Sequence, residues 1–206
     1  MSQTIDYYFN PVSPWTYLGH ARFARLAADA GATVRLMPID LGQVFPVSGG
    51  LPLGKRAPQR QAYRLTELAR FSRHLQLPLN PQPRYFPVDG NMAARLVIAV
   101  DREDGIEPAM KLAGSLLAAV WAQERNIADV AVLAQLLDEC SLPARRLEDA
   151  NSPETQARYD AFTKHAIDAG VFGAPTFIAD GEMFWGQDRL DFLERKLATN
   201  STTRRT

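Results

Sequence analysis

The sequence has strand-forming segments near its two ends and a long helical stretch between them, and this order limits the folds open to it. Thr4-Ile5-Asp6-Tyr7-Tyr8-Phe9 predicts a first strand, and Val34 to Ile39 predicts a second. Between them, Ser13-Pro14 supplies an N-cap hydroxyl and a proline at the first helical position, and Gly31 ends the predicted helix. Two strands around one helix predict a parallel βαβ unit with a right-handed crossover.

The middle of the chain, from Arg60 to Gly170, has the periodicity of α-helices. Its apolar residues recur at intervals of three and four in three stripes, which are Leu65, Leu68, Phe71 and Leu75, then Leu112, Leu116, Val120 and Trp121, then Val130, Leu133, Leu137 and Cys140. Ser152-Pro153-Glu154 begins a further helix that Gly170 closes. The preceding segment, from Asp40 to about Gln59, is rich in glycine and proline and has no periodicity, which predicts a long loop.

The strand pattern returns near the C-terminus. Thr176 to Ala179 and Glu182 to Trp185 flank Asp180-Gly181, a strong hairpin signal, and Asp188 is the predicted N-cap of a last helix. The order β-α-β, helices, β-β-α predicts an α/β protein with a thioredoxin-like fold and an all-helical domain inserted in it. The predicted divisions are a discontinuous thioredoxin-like domain at 1–54 and 171–199, a helical insertion domain at 55–170, and a disordered tail at 200–206.

Composition narrows the possible partners. The 23 basic and 23 acidic residues give no net charge, which argues against nucleic acid as the partner. The single cysteine, Cys140, excludes a disulfide framework and a two-cysteine redox centre within the chain. The three histidines are scattered, so no metal site is predicted. No apolar run approaches a membrane span and the N-terminus has no signal-peptide pattern, so we expect a cytoplasmic protein that does not bind membranes.

Three segments have chemical meaning when they are taken together. They are Ser13 to Leu18 after the first strand, Gly173-Ala174-Pro175-Thr176 before the third, and Trp185-Gly186-Gln187-Asp188 before the last helix. In a thioredoxin-like arrangement, the first helix start and the X-Pro step before the third strand face each other across a shallow groove. Such a groove has a backbone edge that can pair with an extended, peptide-like ligand.

With these motifs, and with Ile39-Asp40-Leu41 and the segment from Phe86-Pro87 to Asn91, the chain resembles the 2-hydroxychromene-2-carboxylate isomerases. Their relatives are the kappa-class glutathione transferases, within the DsbA-like group. The resemblance runs over nearly the whole chain and implies that the cofactor is glutathione. It also implies a homodimer.

The resemblance assigns roles to the residues of the three segments. It places Ser13 at the glutathione sulfur, and the backbone of Ala174, before a cis Pro175, beside the cysteinyl unit. The same resemblance implies that Gly186, Gln187 and Asp188 hold the γ-glutamyl end, and Trp185 is a further predicted cofactor-binding residue. Disulfide oxidoreductases of the wider group have a cysteine in place of Ser13, so their redox chemistry is lost in this chain.

A serine can serve here without any base. A free thiol with a pKa of about 8.5 is only about 3% thiolate at pH 7, and the thiolate is the nucleophile. Lowering this pKa by about two units requires roughly 2.7 kcal/mol of preferential stabilisation of the anion. A helix start contributes about 0.3–1 kcal/mol and a hydroxyl bonded to a charged group about 1.5–3 kcal/mol. We therefore expect Ser13 to donate a hydrogen bond to the sulfur and to attack nothing itself.

The sequence says less about the residues that contact the substrate than about those that bind glutathione. By position in the resemblance, Arg84, Tyr85 and Asn91 are predicted pocket residues. A carboxylate substrate needs a basic partner, and the candidates are Lys55, Arg56, Arg84 and Arg95. The chain departs from the family at Phe45 to Gly50, where isomerases of this kind often have a Phe-Lys followed by a Thr-Gly-Asn.

Three functions fit these observations. The resemblance implies first a glutathione-dependent isomerase of an unsaturated, aromatic-derived carboxylate, which works by thiolate addition, bond rotation and elimination. The second is a kappa-type glutathione transferase, which consumes glutathione in conjugation. The third is a non-catalytic thioredoxin-like module that binds peptides in the groove. A small molecule is the expected partner in the first two.

Overall fold

A computed structural model describes residues 3–203 of the protein, and the side chains of residues 3–199. The strands β1 to β4 of this part are Thr4–Phe9, Thr33–Pro38, Thr176–Ala179 and Glu182–Trp185. Its α-helices α1 to α9 are Pro14–Asp29, Leu41–Ser48, Pro58–Leu75, Asn91–Asp104, Ile106–Trp121, Val130–Glu139, Arg146–Ala150, Pro153–Asp168 and Leu190–Thr203. Helix α9 continues to Thr203, so residues 200–203, which the sequence analysis assigned to a disordered tail, are helical. Residues 204–206 lie outside the described part.

The four strands form one mixed sheet in the order β2-β1-β3-β4. β1 and β2 are parallel and joined by α1, whereas β3 is antiparallel to both β1 and β4. The hairpin between β3 and β4 turns at Asp180 and Gly181, which have φ of 50° and 79°. Positive φ at both turn residues is the geometry for which an Asp-Gly pair is suited. The predicted thioredoxin-like order is thus confirmed.

The two faces of the sheet are covered by different helices because successive strand residues point to opposite sides. Tyr7 lies on one face, where its ring is 4.5 Å from that of Phe23 in α1 and 5.0 Å from that of Phe177 in β3. Tyr8 lies on the other face, and its hydroxyl is hydrogen-bonded to His165 of α8 at 2.8 Å.

One hydrophobic core runs through both the sheet and the helices of the middle segment. Buried residues of β1, α1 and β3 share a single cluster with those of α4, α5 and α6. Trp121 is fully buried in this cluster. The boundaries of the two predicted domains, at residues 54 and 170, stay a prediction. Among the described helices, none combines the length and the apolar character that a membrane span requires.

The segment after β2 is not the loop that its composition predicts. It contains α2, and Leu53–Lys55 forms a 3-10 turn. The Asp40 side chain caps α2 by accepting a hydrogen bond from the N–H of Gly42 at 2.7 Å, and Gly49, with φ of 74°, ends it. Val44 is fully buried against the face of the sheet that α8 covers. Tertiary burial of Val44 adds to the two local caps of this helix, and a stretch of eight residues is too short for its periodicity to be recognised.

Candidate active site

Two adjoining cavities open where the start of α1, the turn before β3 and the N-terminal half of α3 meet. Their volumes are about 780 Å³ and 550 Å³, within the usual range for small-molecule sites. The wall that both cavities share is formed by Trp15, Arg56, Arg60, Arg64, Ala174 and Trp185. All three segments singled out in the sequence therefore reach the same place.

Ser13 lies on the wall of the larger cavity and is the N-cap of α1. Its Oγ accepts a hydrogen bond from the N–H of Thr16 at 3.2 Å and donates one to the carbonyl of Ala174 at 3.1 Å. The residue is 7% exposed. The serine hydroxyl is thus fixed between the helix start and the residue before Pro175, as the sequence motifs predict.

The start of α1 has one unused backbone donor. Pro14 has no N–H, and the N–H groups of Thr16 and Tyr17 are bonded to the side chain and the carbonyl of Ser13. The N–H of Trp15 donates no hydrogen bond within the described part of the chain. An anion beside Ser13 therefore has both the serine hydroxyl and this N–H available.

The peptide bond between Ala174 and Pro175 is cis, which confirms the expectation from the resemblance. The segment before it packs closely against Trp185. A Cβ added at Gly173 would lie 2.6 Å from the Trp185 Nε1, and the rings of Phe172 and Trp185 are 4.7 Å apart. Trp185 is nevertheless 51% exposed, so one side of its ring stays open to a ligand.

The segment after β4 forms the outer wall of the smaller cavity. Gly186 has φ of 96°, and its N–H donates to the carbonyl of Pro175 at 2.9 Å. Gln187 is 3% exposed because it packs against Gly19 of α1. Asp188 does not cap α9 as predicted, since it lies inside a 3-10 turn, Gln187–Arg189, and contacts the Arg189 guanidinium at 3.0 Å.

Of the three predicted substrate residues, the structure places only Asn91 on a cavity wall. Its Oδ1 accepts a hydrogen bond from the Tyr159 hydroxyl at 3.1 Å, which leaves the Asn91 amide nitrogen as the donor. Arg84 and Tyr85 line neither cavity, and the guanidinium of Arg84 lies 5.2 Å from the Tyr85 ring centroid.

Among the predicted basic partners of a carboxylate, Arg56 lines both cavities. Lys55 lines neither of them. Arg95 is turned toward the carbonyl of Ala150 and the side chain of Gln156, at 3.2 Å and 2.8 Å.

The family model of the DSBA-like thioredoxin domain matches residues 4–198. The chain belongs to this family. A 2-hydroxychromene-2-carboxylate isomerase of Sphingobium xenophagum is 29% identical over 199 residues, which are 96% of this chain and 99% of the relative. Another, of Pseudomonas putida, is 32% identical over 193 residues and 92% of each chain.

The remaining comparisons agree with this membership. Glutathione S-transferase kappa 1 of Caenorhabditis elegans is 25% identical over 203 residues, 92% of this chain and 88% of the relative. A solved structure of a 2-hydroxychromene-2-carboxylate isomerase has a TM-score of 0.85 at 26% identity, over 98% of this chain and 97% of the other. The resemblance that the sequence motifs indicate is confirmed.

Sequence analysis missed Arg60 and Arg64 of α3, although a signal was present. Arg56, Arg60, Arg64 and Leu68 follow one another at intervals of four, so the last three share one face of α3. Arg64 and Leu68 are buried on this face, whereas Arg60 is exposed. Like charges four residues apart on a helix destabilise the protein unless something binds them, and the cost is larger for a buried charge such as Arg64.

The arginines make this side of the cavities electropositive. Burial and the neighbouring Arg56 lower the pKa of Arg64 to about 10, and burial, followed by Arg60, lowers the pKa of Arg56. Asp40 and Asp89 also line the larger cavity. The lining of the larger cavity thus carries cations at Arg56 and along α3 as well as carboxylates near the start of α2 and before α4.

Proposed function

We propose that the protein is a glutathione-dependent isomerase of an unsaturated, aromatic-derived carboxylate of the 2-hydroxychromene-2-carboxylate type. The observation that carries the proposal is the position of Ser13. Its hydroxyl lies on a cavity wall at a helix start and contacts the residue before a cis proline. The names of the relatives, isomerases and a glutathione transferase, support the same chemistry.

The residues around Ser13 suit glutathione in charge, size and backbone shape. The donors for its sulfur are the Ser13 hydroxyl and the Trp15 N–H, and the cavity volume is that of a small-molecule site. Gly186 has φ of 96°, and a Cβ there would be 2.6 Å from the Asp188 Oδ1, so this turn of the cavity wall requires glycine. Ala174, Gln187 and Asp188 would contact the peptide and γ-glutamyl portions.

The Ser13 hydroxyl can change its acceptor without losing its cap. Its proton rotates about the Cβ–Oγ bond, so the donor can turn from the Ala174 carbonyl to an anion while Oγ still accepts from Thr16. A neutral hydrogen bond contributes about 0.5–1.5 kcal/mol and one to a charged group about 1.5–3 kcal/mol. The net gain from this exchange is therefore about 1 kcal/mol, less than for a hydroxyl with no earlier partner.

The start of α1 supplies the rest of the stabilisation of the thiolate. An anion at the start of α1 gains about 0.3–1 kcal/mol, and the unused Trp15 N–H adds a charge-assisted hydrogen bond. Together with Ser13, these contributions lower the pKa of a bound thiol by about one to two units.

Glutathione bound in this way supplies the thiolate that the isomerisation requires. The Ser13 hydroxyl would stabilise the negative charge on the sulfur by donating a hydrogen bond, and it would not be deprotonated itself. The rings of Trp15 and Trp185 limit the access of water to the wall that the two cavities share. Asn91, held by Tyr159, presents an amide donor toward the larger cavity, where it can orient a polar group of the substrate.

A matched pair of caps tests this proposal. Ser13 and Ser152 are each followed by proline, and the Oγ of each accepts from the N–H three residues on at 3.2 Å. Each also donates to a carbonyl, at 3.1 Å for Ser13 and 2.8 Å for Ser152. Ser152 lines neither cavity. Replacing either serine by alanine should therefore cost similar stability, about 1 kcal/mol.

Only the Ser13 variant should lose activity. With 2-hydroxychromene-2-carboxylate and glutathione, we expect Ser13→Ala to lower kcat/KM by about fivefold at pH 7, the equivalent of about 1 kcal/mol, and Ser152→Ala to leave it within about twofold. The decisive readout is the pH at which bound glutathione ionises, followed by the ultraviolet absorbance of the thiolate. Turnover without glutathione, or equal activity loss in both variants, would contradict the proposal.

The kappa-class relative favours a second candidate, a glutathione transferase that conjugates electrophiles. Stoichiometry separates the two functions, because conjugation consumes one glutathione per turnover and isomerisation consumes none. Calorimetry tests the third function, the non-catalytic peptide-binding module, because such a module would not bind glutathione at millimolar concentration. The homodimer and the cytoplasmic location stay predictions.

A further inference from the structure

Arg64 is a buried cation in the middle of α3 without a partner for its charge. The residue is 8% exposed, and its guanidinium carbon lies 5.3 Å from the ring centroid of Phe86 and 5.5 Å from that of Trp121. Its Nη2 is buried and has no hydrogen-bond partner within the described residues. The faces of two aromatic rings hold this guanidinium in place, and the residue borders both cavities.

No acidic side chain of the described part compensates this charge. Arg56, Arg60 and Arg64 make no ion pair there, and each lines both cavities. Two acids on the wall of the smaller cavity are already engaged, Glu67 by Arg70 and Asp188 by Arg189. A buried charge with no partner costs several kcal/mol, so a chain that keeps one at a cavity wall gains from binding an anion there.

We propose that Arg64 binds the carboxylate of the aromatic-derived substrate, with Arg56 and Arg60 adding positive charge around it. A guanidinium presents paired N–H donors that match the two oxygens of a carboxylate. The neighbouring wall, with Trp15 and Phe71 in edge-to-face contact at 6.0 Å, suits an attached aromatic ring. The inference deepens the proposed function, because it names the residue that recognises the acidic group of the substrate.

A second source of a carboxylate is the glycyl end of glutathione, so the test must separate the two. Arg64 borders the smaller cavity together with the residues after β4 and the larger one together with Ser13. The aromatic side chains of Trp15 and Phe71 on the wall of the smaller cavity favour the substrate. Esters of each molecule distinguish the sources, since an ester removes the negative charge and keeps the rest of the ligand.

The first arm uses trans-cinnamate, a planar unsaturated aromatic carboxylate, and methyl cinnamate as probes in calorimetry. We expect Arg64→Met to weaken cinnamate binding by about 10- to 100-fold and to leave the binding of the ester within about twofold. Arg73→Met, an exposed change on the same helix, is the matched control and should bind cinnamate like the wild type. Equal cinnamate affinity in Arg64→Met and Arg73→Met would overturn the inference.

The second arm uses glutathione and its glycyl ethyl ester. Arg64→Met should change the affinity for glutathione by less than about threefold. A loss of glutathione affinity that esterification abolishes would assign Arg64 to the cofactor and overturn the inference.

Thermal unfolding supplies the structural control. Since Arg64 has no acidic partner, an apolar side chain of similar volume should leave the melting temperature unchanged or raise it. A lower melting temperature together with normal cinnamate binding would make Arg64 a structural residue and overturn the inference. If Arg64→Met is not folded, the same titrations with Arg64→Lys decide, because lysine keeps the charge but loses the paired donors and should weaken cinnamate binding by about tenfold.

The outcomes separate this inference from the proposed function. Cinnamate binding that depends on Arg64, in a protein with no glutathione-dependent turnover, would support the inference and refute the function. Turnover that requires glutathione and Ser13, with the same KM in Arg64→Met as in Arg73→Met, would support the function and refute the inference.

Discussion

Acidification should destabilise the protein through His20, a residue of α1 whose imidazole is buried. Its Nε2 lies 2.9 Å from the carbonyl of Met110, and its Nδ1 lies 3.0 Å from the Tyr7 hydroxyl. A carbonyl can only accept, so Nε2 carries the proton, and Nδ1 accepts from Tyr7. Both ring nitrogens are therefore satisfied while the ring is neutral.

The cost of charging this ring sets the size of the effect. Burial lowers the pKa of His20 from 6.5 to about 4, although the hydrogen bond to Met110 opposes the change. Between pH 6.5 and pH 4 the unfolded chain thus binds more protons than the native protein, so stability falls as the pH falls through this window. The difference corresponds to about 3 kcal/mol at 1.36 kcal/mol per pKa unit.

Urea unfolding at pH 7 and pH 4 measures this contribution. The test variant is His20→Gln, whose amide keeps a donor for Met110 and an acceptor for Tyr7 but does not titrate in this range. We expect the wild type to lose about 3 kcal/mol more than His20→Gln between the two pH values. The exposed His74→Gln should follow the wild type. Equal losses in the wild type and in His20→Gln would refute the reasoning.

Two further predictions concern other parts of the structure. Arg146 is 3% exposed and is bonded to Asp104 at 2.6 and 2.8 Å and to Asp149 at 2.8 Å. Arg146→Met should therefore lower the free energy of unfolding at pH 7 by about 3 kcal/mol. The control Arg70→Met, a change of an exposed ion pair, should lower it by less than about 1 kcal/mol. Because Arg146 lowers the pKa of Asp104, part of that difference should disappear below pH 3.8, where urea titrations can follow it. Gly173→Ala should displace the Trp185 ring and weaken glutathione binding by about tenfold in calorimetry, whereas Gly54→Ala, whose added Cβ meets nothing within 4 Å, should not.

Local sequence signals were sufficient for the elements near both chain ends. The Ser-Pro step at Ser13 predicts a helix start because capping needs only residues close in sequence, and the same holds for Ser152. Asp180-Gly181 predicts the hairpin for the same reason. By contrast, α2 depends on Val44 packing against residues far along the chain, and Asp188 lies in a 3-10 turn rather than at the cap of α9.

The sequence by itself determined the order of the strands, the start of α1 at Ser13 and, through motif resemblance, the family. Only the tertiary structure decided which basic residues line the cavities. Arg56, Arg60 and Arg64 do and Arg84 does not, and Arg64 is held there because its burial between Phe86 and Trp121 joins segments that are distant along the chain. Hydrogen-bond capping is a local property, whereas the pairing of a charge depends on every element packed around it.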